Sequence, residues 1–237
     1  MSTHEPLTEP GAAPSLHTQA PRTNQQDVYY LAATSSSLQG THDRLGVMIG
    51  PRQGGLRPLR EGRPWGGDND AYHDKFTPEA FELHLTRLRP FASTCLFVAL
   101  PDFPHDPDST LAVWRAMAPE FAAREAFPMA FVAQTGTLPS DIPEDANVLF
   151  LAGEDTWRQG VKGRDLIQHA HEELGIPTHV GRVNSLARFM HYAAIPGVRS
   201  MDGTYLAYRG LRGVDEIGAW LQAFEASRIP PLFGTPE

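Results

Sequence analysis

The stretch Gly197-Val198-Arg199-Ser200-Met201-Asp202-Gly203-Thr204 decides the fold of this chain. A short apolar run ends in a lone carboxylate, that of Asp202, and a glycine follows at once. This pattern is typical of a β-strand that opens into a loop. In barrels and open α/β sheets, catalytic groups collect at that end of the strands. The stretch therefore predicts a strand and, at its end, a place for chemistry.

The same pattern recurs along the chain. The apolar runs at 97–102, 131–134 and 149–153 also end in a polar side chain or a glycine step, and further strands are predicted at 28–33, 45–49, 178–180 and 198–201. Helical patterns lie at about 77–88, 108–123, 163–174, 185–194 and 214–226. Thr77 and Pro78 are the predicted N-cap and first residue of the earliest helix. Strands that alternate with helices predict a parallel sheet.

The fold prediction depends on residues 50–67. This segment carries many Gly, Pro and Arg residues and is predicted to form a long functional loop. Periodicity does not show a strand there, but a strand ending near residues 65–68 would bring the count to eight. The prediction is then a single (β/α)₈ barrel of the TIM type over residues 27–228, with a doubly wound sheet as the alternative. Residues 1–26 are predicted to be a disordered N-terminal tail, and residues 229–237 a C-terminal tail.

Composition limits the class of protein. The chain has 237 residues, 41% of them hydrophobic and 20% charged, as in ordinary globular domains. No segment approaches the ~18 apolar residues of a membrane span, and the N-terminus has no secretory signal pattern. The single cysteine, Cys95, is predicted to be a buried strand residue. Because one cysteine cannot form an internal disulfide, a reducing, cytoplasmic setting is expected. The net charge of -8 argues against non-specific nucleic-acid binding by the whole surface, although it leaves room for a local basic groove.

Polar side chains at the strand ends are expected to meet at one mouth of a parallel barrel. They are Asp68, Asn69, Asp102, Gln134, Glu154, Arg182, Asn184 and Asp202, with Gly153 among them. Two carboxylates flanking one carbon suit chemistry at a sugar anomeric centre. A carboxylate beside an amide suits the hydrogen-bonding edge of a purine. Any single Asp or Asn at such a position is as often a turn residue or helix cap, so the prediction rests on the whole set.

Five motifs occur in an order that resembles a known superfamily. They are residues 68–72, 131–136, 149–154, 180–185 and 200–204, and the likeness runs from about residue 28 to 210. Together they resemble the tRNA-guanine transglycosylase superfamily, above all its phage and bacterial DNA branch, the deazapurine DNA modification transglycosylases. The resemblance implies a (β/α)₈ barrel that exchanges guanine in nucleic acid for a 7-deazaguanine through a covalent enzyme–sugar intermediate. It implies no cofactor, and expression in a bacterial cell, including from a phage genome.

The resemblance also assigns roles to residues. It implies that Asp202 is the nucleophile and that Asp68 handles protons. Asp102 and Gln134 would read the base, and the backbone of Ala152 and Gly153 would contact it. Asn69 and Arg182 complete the predicted substrate-binding set.

This chain departs from the family pattern in three places. The tRNA enzymes bind zinc through cysteines and a histidine after the last strand, whereas this chain has no Cys or His after residue 202. No metal is therefore expected, and the loss argues against a tRNA substrate. Asp70 stands where relatives often have glycine, which leaves the local turn in question. Ala152 replaces a glycine, a mild change because only the backbone is needed.

Arginines and aromatic side chains suggest how DNA would be held. The predicted phosphate contacts are Arg57, Arg63, Arg199 and Arg209, within a larger set that includes Arg52, Arg60, Arg182 and Arg212. The alternative for each is a solvated surface arginine. Trp65 and Tyr72 flank Asp68 and are candidates for stacking on a base, with core packing as the equal alternative for Trp65.

The leading hypothesis is a DNA guanine transglycosylase that inserts a base of the preQ0 type. Its implied partners are DNA and the free 7-deazaguanine base, with no membrane and with a homodimer or a helper subunit as further options. The alternatives are a base-excising N-glycosidase or nucleoside hydrolase on the same carboxylates, a tRNA-guanine transglycosylase, and a non-catalytic DNA-binding subunit. The retained aspartates and the acidic net charge speak against the last of these.

Overall fold

The computed structural model describes residues 27–73 and 76–228, so the predicted tails lie outside the described residues. Eight parallel strands form a closed barrel in chain order. The strands are β1 (Tyr29–Ala32), β2 (Leu45–Ile49), β3 (Trp65–Gly67), β4 (Cys95–Ala99), β5 (Met129–Ala133), β6 (Val148–Leu151), β7 (Thr178–Val180) and β8 (Val198–Gly203). Closure of β8 onto β1 confirms the predicted barrel and excludes the doubly wound sheet.

Helices connect most of the strands and form the outer layer. They are α1 (Arg57–Arg60), α2 (Pro78–Leu88), α3 (Pro107–Arg124), α4 (Asp155–Gln159), α5 (Val161–Glu172), α6 (Leu186–Ala193), α7 (Tyr205–Arg209) and α8 (Leu211–Ser227). Short 3₁₀ turns lie at Ala71–His73, Arg89–Thr94 and Pro139–Asp141. No helix in the described part of the chain is long and apolar enough to cross a membrane.

Side-chain caps explain where three of these helices begin. Thr77 accepts a hydrogen bond from the Ala80 amide at 3.1 Å, which confirms the predicted N-cap of α2. Asp106 caps α3 and Ser185 caps α6 in the same way. Each N-cap residue ends the loop that follows a strand, so the position of the cap determines how long that loop is.

The prediction of a long loop over residues 50–67 was wrong, because the segment contains both α1 and β3. Only three residues form β3, and two of them are glycines, so neither period nor length marks it as a strand. The Trp65 side chain is fully buried, donates its indole N–H to the Phe91 carbonyl at 2.9 Å and packs edge-on against Phe127. Trp65 is therefore a core residue and does not face a base.

The barrel interior is a packed core. Leu31, Met48, Phe97, Ala130 and Val148 form one buried cluster inside the barrel, distinct from the larger core between strands and helices. A Cβ on Gly66 would lie 2.7 Å from the Phe97 ring, so a glycine there lets the ring cross the interior. The floor beneath the carboxyl ends of the strands is consequently dry and rigid.

Strand β8 continues further than the sequence pattern predicts. Asp202 and Gly203 pair in register with Leu31 and Ala32 of β1, so the carboxylate lies on the strand and not in the loop after it. The Asp202 carbonyl accepts from the Val183 amide at 2.7 Å, and this bond joins the end of β8 to the loop after β7. Both contacts hold the Asp202 backbone in place.

Candidate active site

A cavity of about 500 Å³ opens at the carboxyl ends of the strands. We call it the mouth cavity, and its lining includes Asp68, Asp102, Gln134, Arg158, Arg182 and Asp202. Asn69, Ala152 and Gly153 line it as well, so the cavity brings together all eight residues predicted for catalysis and substrate binding. Its volume lies in the range of small-molecule sites.

Asp202 is held by a buried histidine. Its Oδ1 lies 3.1 Å from Nε2 of His179, whose Nδ1 lies 2.8 Å from the Ser200 hydroxyl. The imidazole is fully buried, and its centroid lies 4.6 Å from that of Phe97 and 4.5 Å from that of Phe150. The two rings fix the imidazole plane, and the imidazole in turn fixes one carboxylate oxygen.

The sequence analysis missed His179, although the sequence does contain a signal. His179 is the central residue of β7 and pairs in register with Ser200 of β8. Ser200 and Asp202 are two residues apart on one strand and so face the same side. A histidine beside that pair would be found only after the two strands had been aligned.

Asp68 follows β3 and faces the same space. Its Oδ1 accepts from the Asn69 amide at 2.8 Å and, more weakly, from the Asp70 amide at 3.4 Å. Burial raises the pKa of the Asp68 carboxyl to about 6, and the charges of Asp70 and Asp202 add to this effect. A carboxyl group that exchanges its proton near neutrality is suited to acid–base work.

Asp102 is clamped by two side-chain amides. Asn69 donates to its Oδ1 at 2.8 Å, and Gln134 donates to its Oδ2 at 2.6 Å. Burial raises the pKa of the Asp102 carboxyl, while both amide bonds act in the opposite direction. The side-chain oxygen Oε1 of Gln134 accepts from the His105 backbone amide, which sets the orientation of the Gln134 side-chain amide. One N–H of Gln134 Nε2 is then left to donate.

Backbone strain is concentrated at this cavity. Among the described residues, Asp70, His105 and Arg182 are the non-glycine residues with positive φ, at 61°, 68° and 60°, and all three line the cavity. Asp70 stands where relatives often have glycine, and its backbone adopts the left-handed conformation that glycine favours. Asp tolerates this conformation better than most residues do. Arg52 pairs with the Asp70 carboxylate at 3.1 Å and holds the turn. Such clustering is typical of functional sites.

Ala152 and Gly153 follow β6 and offer backbone to the cavity. Gly153 has a φ of 67°, and a Cβ there would lie 2.8 Å from the Trp157 ring and 2.9 Å from the Thr135 amide. Any other residue would be strained and would clash. Ala152 also lines the cavity, but its amide is already engaged because it donates to the Ala133 carbonyl at 3.1 Å.

The predicted phosphate-binding arginines do not share one surface. Arg182 does lie at the mouth, with its guanidinium 4.3 Å from the centroid of the Tyr72 ring. Arg209 is exposed and pairs with Glu216 at 2.9 Å, and Arg57 pairs with Glu61 at 3.0 Å. Neither of these two lines the mouth cavity.

Arg63 and Arg199, two of the candidate phosphate contacts, do not line the mouth cavity either. Arg63 is buried and donates to the carbonyls of Leu38, Thr41 and His42 ahead of β2. Its role is to tie that connection to β3. Arg199 lies at the start of β8 and lines a separate cavity of about 430 Å³. Burial and the charge of Arg228 lower the pKa of Arg199.

Two further cavity residues were not assigned a role from the sequence. Arg158 is buried on α4, and Asn184 follows β7 with a buried Oδ1 that has no partner among the described residues. Asn184 was noted only as a strand-end residue, and nothing in the pattern marks Arg158. In the part of the chain that the structure describes, no group of three or more His, Cys, Asp or Glu side chains could hold a metal ion.

Comparison with known proteins supports the fold alone. No family model and no curated protein matches this chain. A mutant tryptophan synthase α-subunit of Pyrococcus furiosus matches with a TM-score of 0.54 at 13% identity, over 85% of this chain and 98% of that one. A 4-hydroxy-2-oxoglutarate aldolase from TTHB1 matches with a TM-score of 0.46 at 15% identity, over 85% and 94% of the two chains. At 13% identity, the tryptophan synthase match shows a similarity in the barrel fold alone.

Proposed function

We propose that this chain is an enzyme, a DNA guanine transglycosylase that exchanges guanine for a 7-deazaguanine of the preQ0 type. The observation that carries the proposal is the grouping of Asp202, Asp68 and the clamped Asp102–Gln134 pair in one mouth cavity. Two carboxylates suit a reaction at a sugar carbon, and a carboxylate beside an amide suits a guanine-like edge.

The Asp102–Gln134 pair supports recognition of a guanine-like base. A carboxylate accepts from the ring N–H and exocyclic amine of guanine, and an amide N–H donates to its carbonyl oxygen. The clamp leaves lone pairs on both Asp102 oxygens and one N–H on Gln134. Guanine and a 7-deazaguanine share this edge, so one site serves the leaving and the entering base.

The first step forms the covalent intermediate. Asp202 attacks C1′ through Oδ2, since Oδ1 is engaged by His179. The C1′–N9 bond breaks as the C1′–O bond forms, and Asp68 gives its proton to the departing guanine, which leaves neutral. Esterification removes the Asp202 charge, one of the causes of the raised Asp68 pKa, and so favours this proton transfer.

The second step reverses the roles. The Asp68 carboxylate takes the N9 proton of the entering base, N9 bonds to C1′ and the bond to Asp202 breaks. The returning Asp202 charge raises the proton affinity of Asp68 again and favours the uptake. Two inversions at C1′ preserve the β configuration, and the enzyme ends in its starting protonation state.

Exposed aromatic side chains support a nucleic-acid substrate. Tyr72, Phe103 and Tyr208 are exposed on segments that follow β3, β4 and β8. A base in a duplex must leave the stack to reach a cavity, and aromatic rings can stack on its neighbours. Arg182 beside Tyr72 provides a cation for an adjacent phosphate.

Base exchange tests the proposal. Wild-type protein and Asp202→Asn are incubated with labelled guanine or labelled preQ0 and, in separate reactions, with guanine-containing DNA or with tRNA. We expect label in DNA with the wild type and none with the variant. Release of free guanine without incorporation would show hydrolysis in place of exchange. Equal labelling of DNA by wild type and variant would contradict the assignment of Asp202, and label in tRNA alone would contradict DNA as the substrate.

A further inference from the structure

Arg158 carries an unmet hydrogen-bonding capacity that the proposed exchange does not use. Its side chain is 1% exposed, and its Nη2 donates to Asp155 Oδ1 at 2.6 Å. Its Nε and Nη1 are buried and have no hydrogen-bond partner among the described residues. Burying guanidinium N–H groups without partners is costly, so their presence in a cavity wall calls for an acceptor that binds there.

The charge around Arg158 is not balanced by the protein. Asp155 is shared, because Arg188 donates to its other oxygen at 2.9 Å. One carboxylate therefore faces two guanidinium groups, and a net positive charge remains. Arg158 lines the mouth cavity whereas Arg188 does not, so the excess is available to a ligand on the Arg158 side.

The position of Arg158 is fixed by its backbone. Its amide donates to the Glu154 carbonyl at 2.9 Å, and its carbonyl accepts from the Tyr192 hydroxyl at 3.3 Å. A Cβ on Gly163 would lie 2.1 Å from the Arg158 carbonyl oxygen, so α5 packs directly against it. A group held this firmly can discriminate between ligands without first being ordered.

We propose that Arg158 reads the 7-substituent of the entering base and selects one that accepts hydrogen bonds, such as a nitrile or a carboxylate, over an ammonium. This inference rests on the proposed function and narrows its substrate class. Trp157, next to Arg158 on α4, packs against Gly153, so α4 lies directly against the backbone predicted to contact the base. A positively charged substituent would meet the uncompensated charge and would leave the N–H groups unpaired.

A phosphate of DNA offers the same acceptor chemistry, but the depth of the site favours the base. A backbone phosphate remains linked to the strand on both sides, and such a strand reaches a side chain that is only 1% exposed less easily than a free base does. The exposed rim at Tyr72 and Arg182 suits a phosphate better. A free base enters the mouth cavity alone and can carry its substituent to Arg158.

Equilibrium binding of free bases by calorimetry tests the subsite. The ligands are guanine and the 7-cyano, 7-carboxy and 7-aminomethyl forms of 7-deazaguanine, with inorganic phosphate as a competitor. We expect the wild type to bind the cyano or carboxy form about tenfold or more tightly than the aminomethyl form. Arg158→Met should abolish this preference, and Arg158→Lys should retain part of it. Arg164→Met, at an exposed arginine of α5 that does not line the mouth cavity, is the control and should leave the ranking unchanged.

The outcomes separate the subsite from the proposed function. Equal affinities of the wild type for the cyano, carboxy and aminomethyl forms would overturn the subsite alone. This measurement uses only the wild type, so it remains decisive if Arg158→Met does not fold. The subsite alone is also overturned if Arg158→Met keeps the wild-type ranking, or if it loses phosphate binding while the ranking of bases persists. Failure of the wild type to bind any of the bases would overturn the proposed function and the subsite with it.

Discussion

Asp68 links the stability of the protein to its chemistry, since burial and two neighbouring carboxylates raise its pKa from 3.8 to about 6. The folded state therefore binds this proton more tightly than the unfolded state does. The resulting stabilisation is fully present below the unfolded pKa and is lost as pH rises through about 6.

Replacing Asp68 with Asn should make the protein less sensitive to pH in this range. Relative to the wild type, we expect Asp68→Asn to gain up to about 3 kcal/mol of unfolding free energy between low pH and neutrality, at about 1.4 kcal/mol per pKa unit. Urea denaturation over this pH range measures the difference. Asp43→Asn, at a fully exposed carboxylate, is the control for removal of a charge. A constant difference between Asp68→Asn and wild type would refute the raised pKa.

His179 should act as a positioning residue for Asp202. We expect His179→Leu to slow formation of the Asp202 adduct by about 10- to 100-fold with little change in KM, because the carboxylate loses its orienting contact. His179→Gln, whose amide can reach the same oxygen, should recover part of the rate. Single-turnover kinetics measure this, and thermal unfolding provides the control. Equal loss of rate in both variants at equal stability would argue for a role in packing only.

At the scale of elements, the end of β8 positions Asp202, the proposed nucleophile. Gly203 packs against its neighbours so closely that a Cβ would lie 2.3 Å from Asn184 Oδ1 and 2.6 Å from the Tyr30 hydroxyl. The Tyr30 hydroxyl itself donates to the Val183 carbonyl at 2.8 Å. A methyl group there must push apart β1, β8 and the loop after β7.

Gly203→Ala should therefore reduce stability and displace Asp202. We expect a loss of about 1–3 kcal/mol in unfolding free energy, together with weakened base exchange. Gly54→Ala is the matched control, because no atom lies within 4 Å of the added methyl group. Denaturant unfolding and the exchange assay report the two effects. A neutral result at Gly203 would mean that the end of β8 is more adaptable than its contacts suggest.

The strand ends show how far the sequence alone can lead. Alternating strands and helices predict the barrel, and the polar residues predicted at the strand ends do line the mouth cavity, except for the exposed Glu154. β3 could be offered only as the strand near residues 65–68 that an eight-stranded barrel requires, because three residues with two glycines carry no periodic signal. His179 escaped because its partners Ser200 and Asp202 lie on another strand, and only strand register brings them together. Arg158 could not be predicted because the feature that marks it, two buried N–H groups without hydrogen-bond partners among the described residues, is visible only in the structure.

At the scale of the whole molecule, two separate cavities are lined by different arginines. The mouth carries Arg182, while Arg199 lines a cavity with Val28, Phe224 and Arg228 that shares no residue with the mouth cavity. With a net charge of -8, DNA is expected to be attracted locally and not by the surface as a whole.

DNA binding should accordingly depend on the mouth alone. We expect Arg182→Gln to weaken DNA affinity and to reduce the slope of log affinity against log salt by about 1, as for loss of one phosphate contact. Arg199→Gln should change neither quantity. Fluorescence anisotropy with a guanine-containing oligonucleotide over a series of salt concentrations measures both. A reversed pattern would place DNA at the opposite end of the barrel.

The central claim is that Asp202 becomes covalently bound to a deoxyribose, and intact-mass spectrometry tests it most directly. The wild-type protein is mixed with a guanine-containing oligonucleotide without any entering base, quenched in acid, digested and mapped. The account predicts a protein–DNA adduct with a guanine lost, located on the peptide that contains Asp202, and no adduct with Asp202→Asn. Guanine release with no adduct, or an adduct located on Asp68, would contradict it.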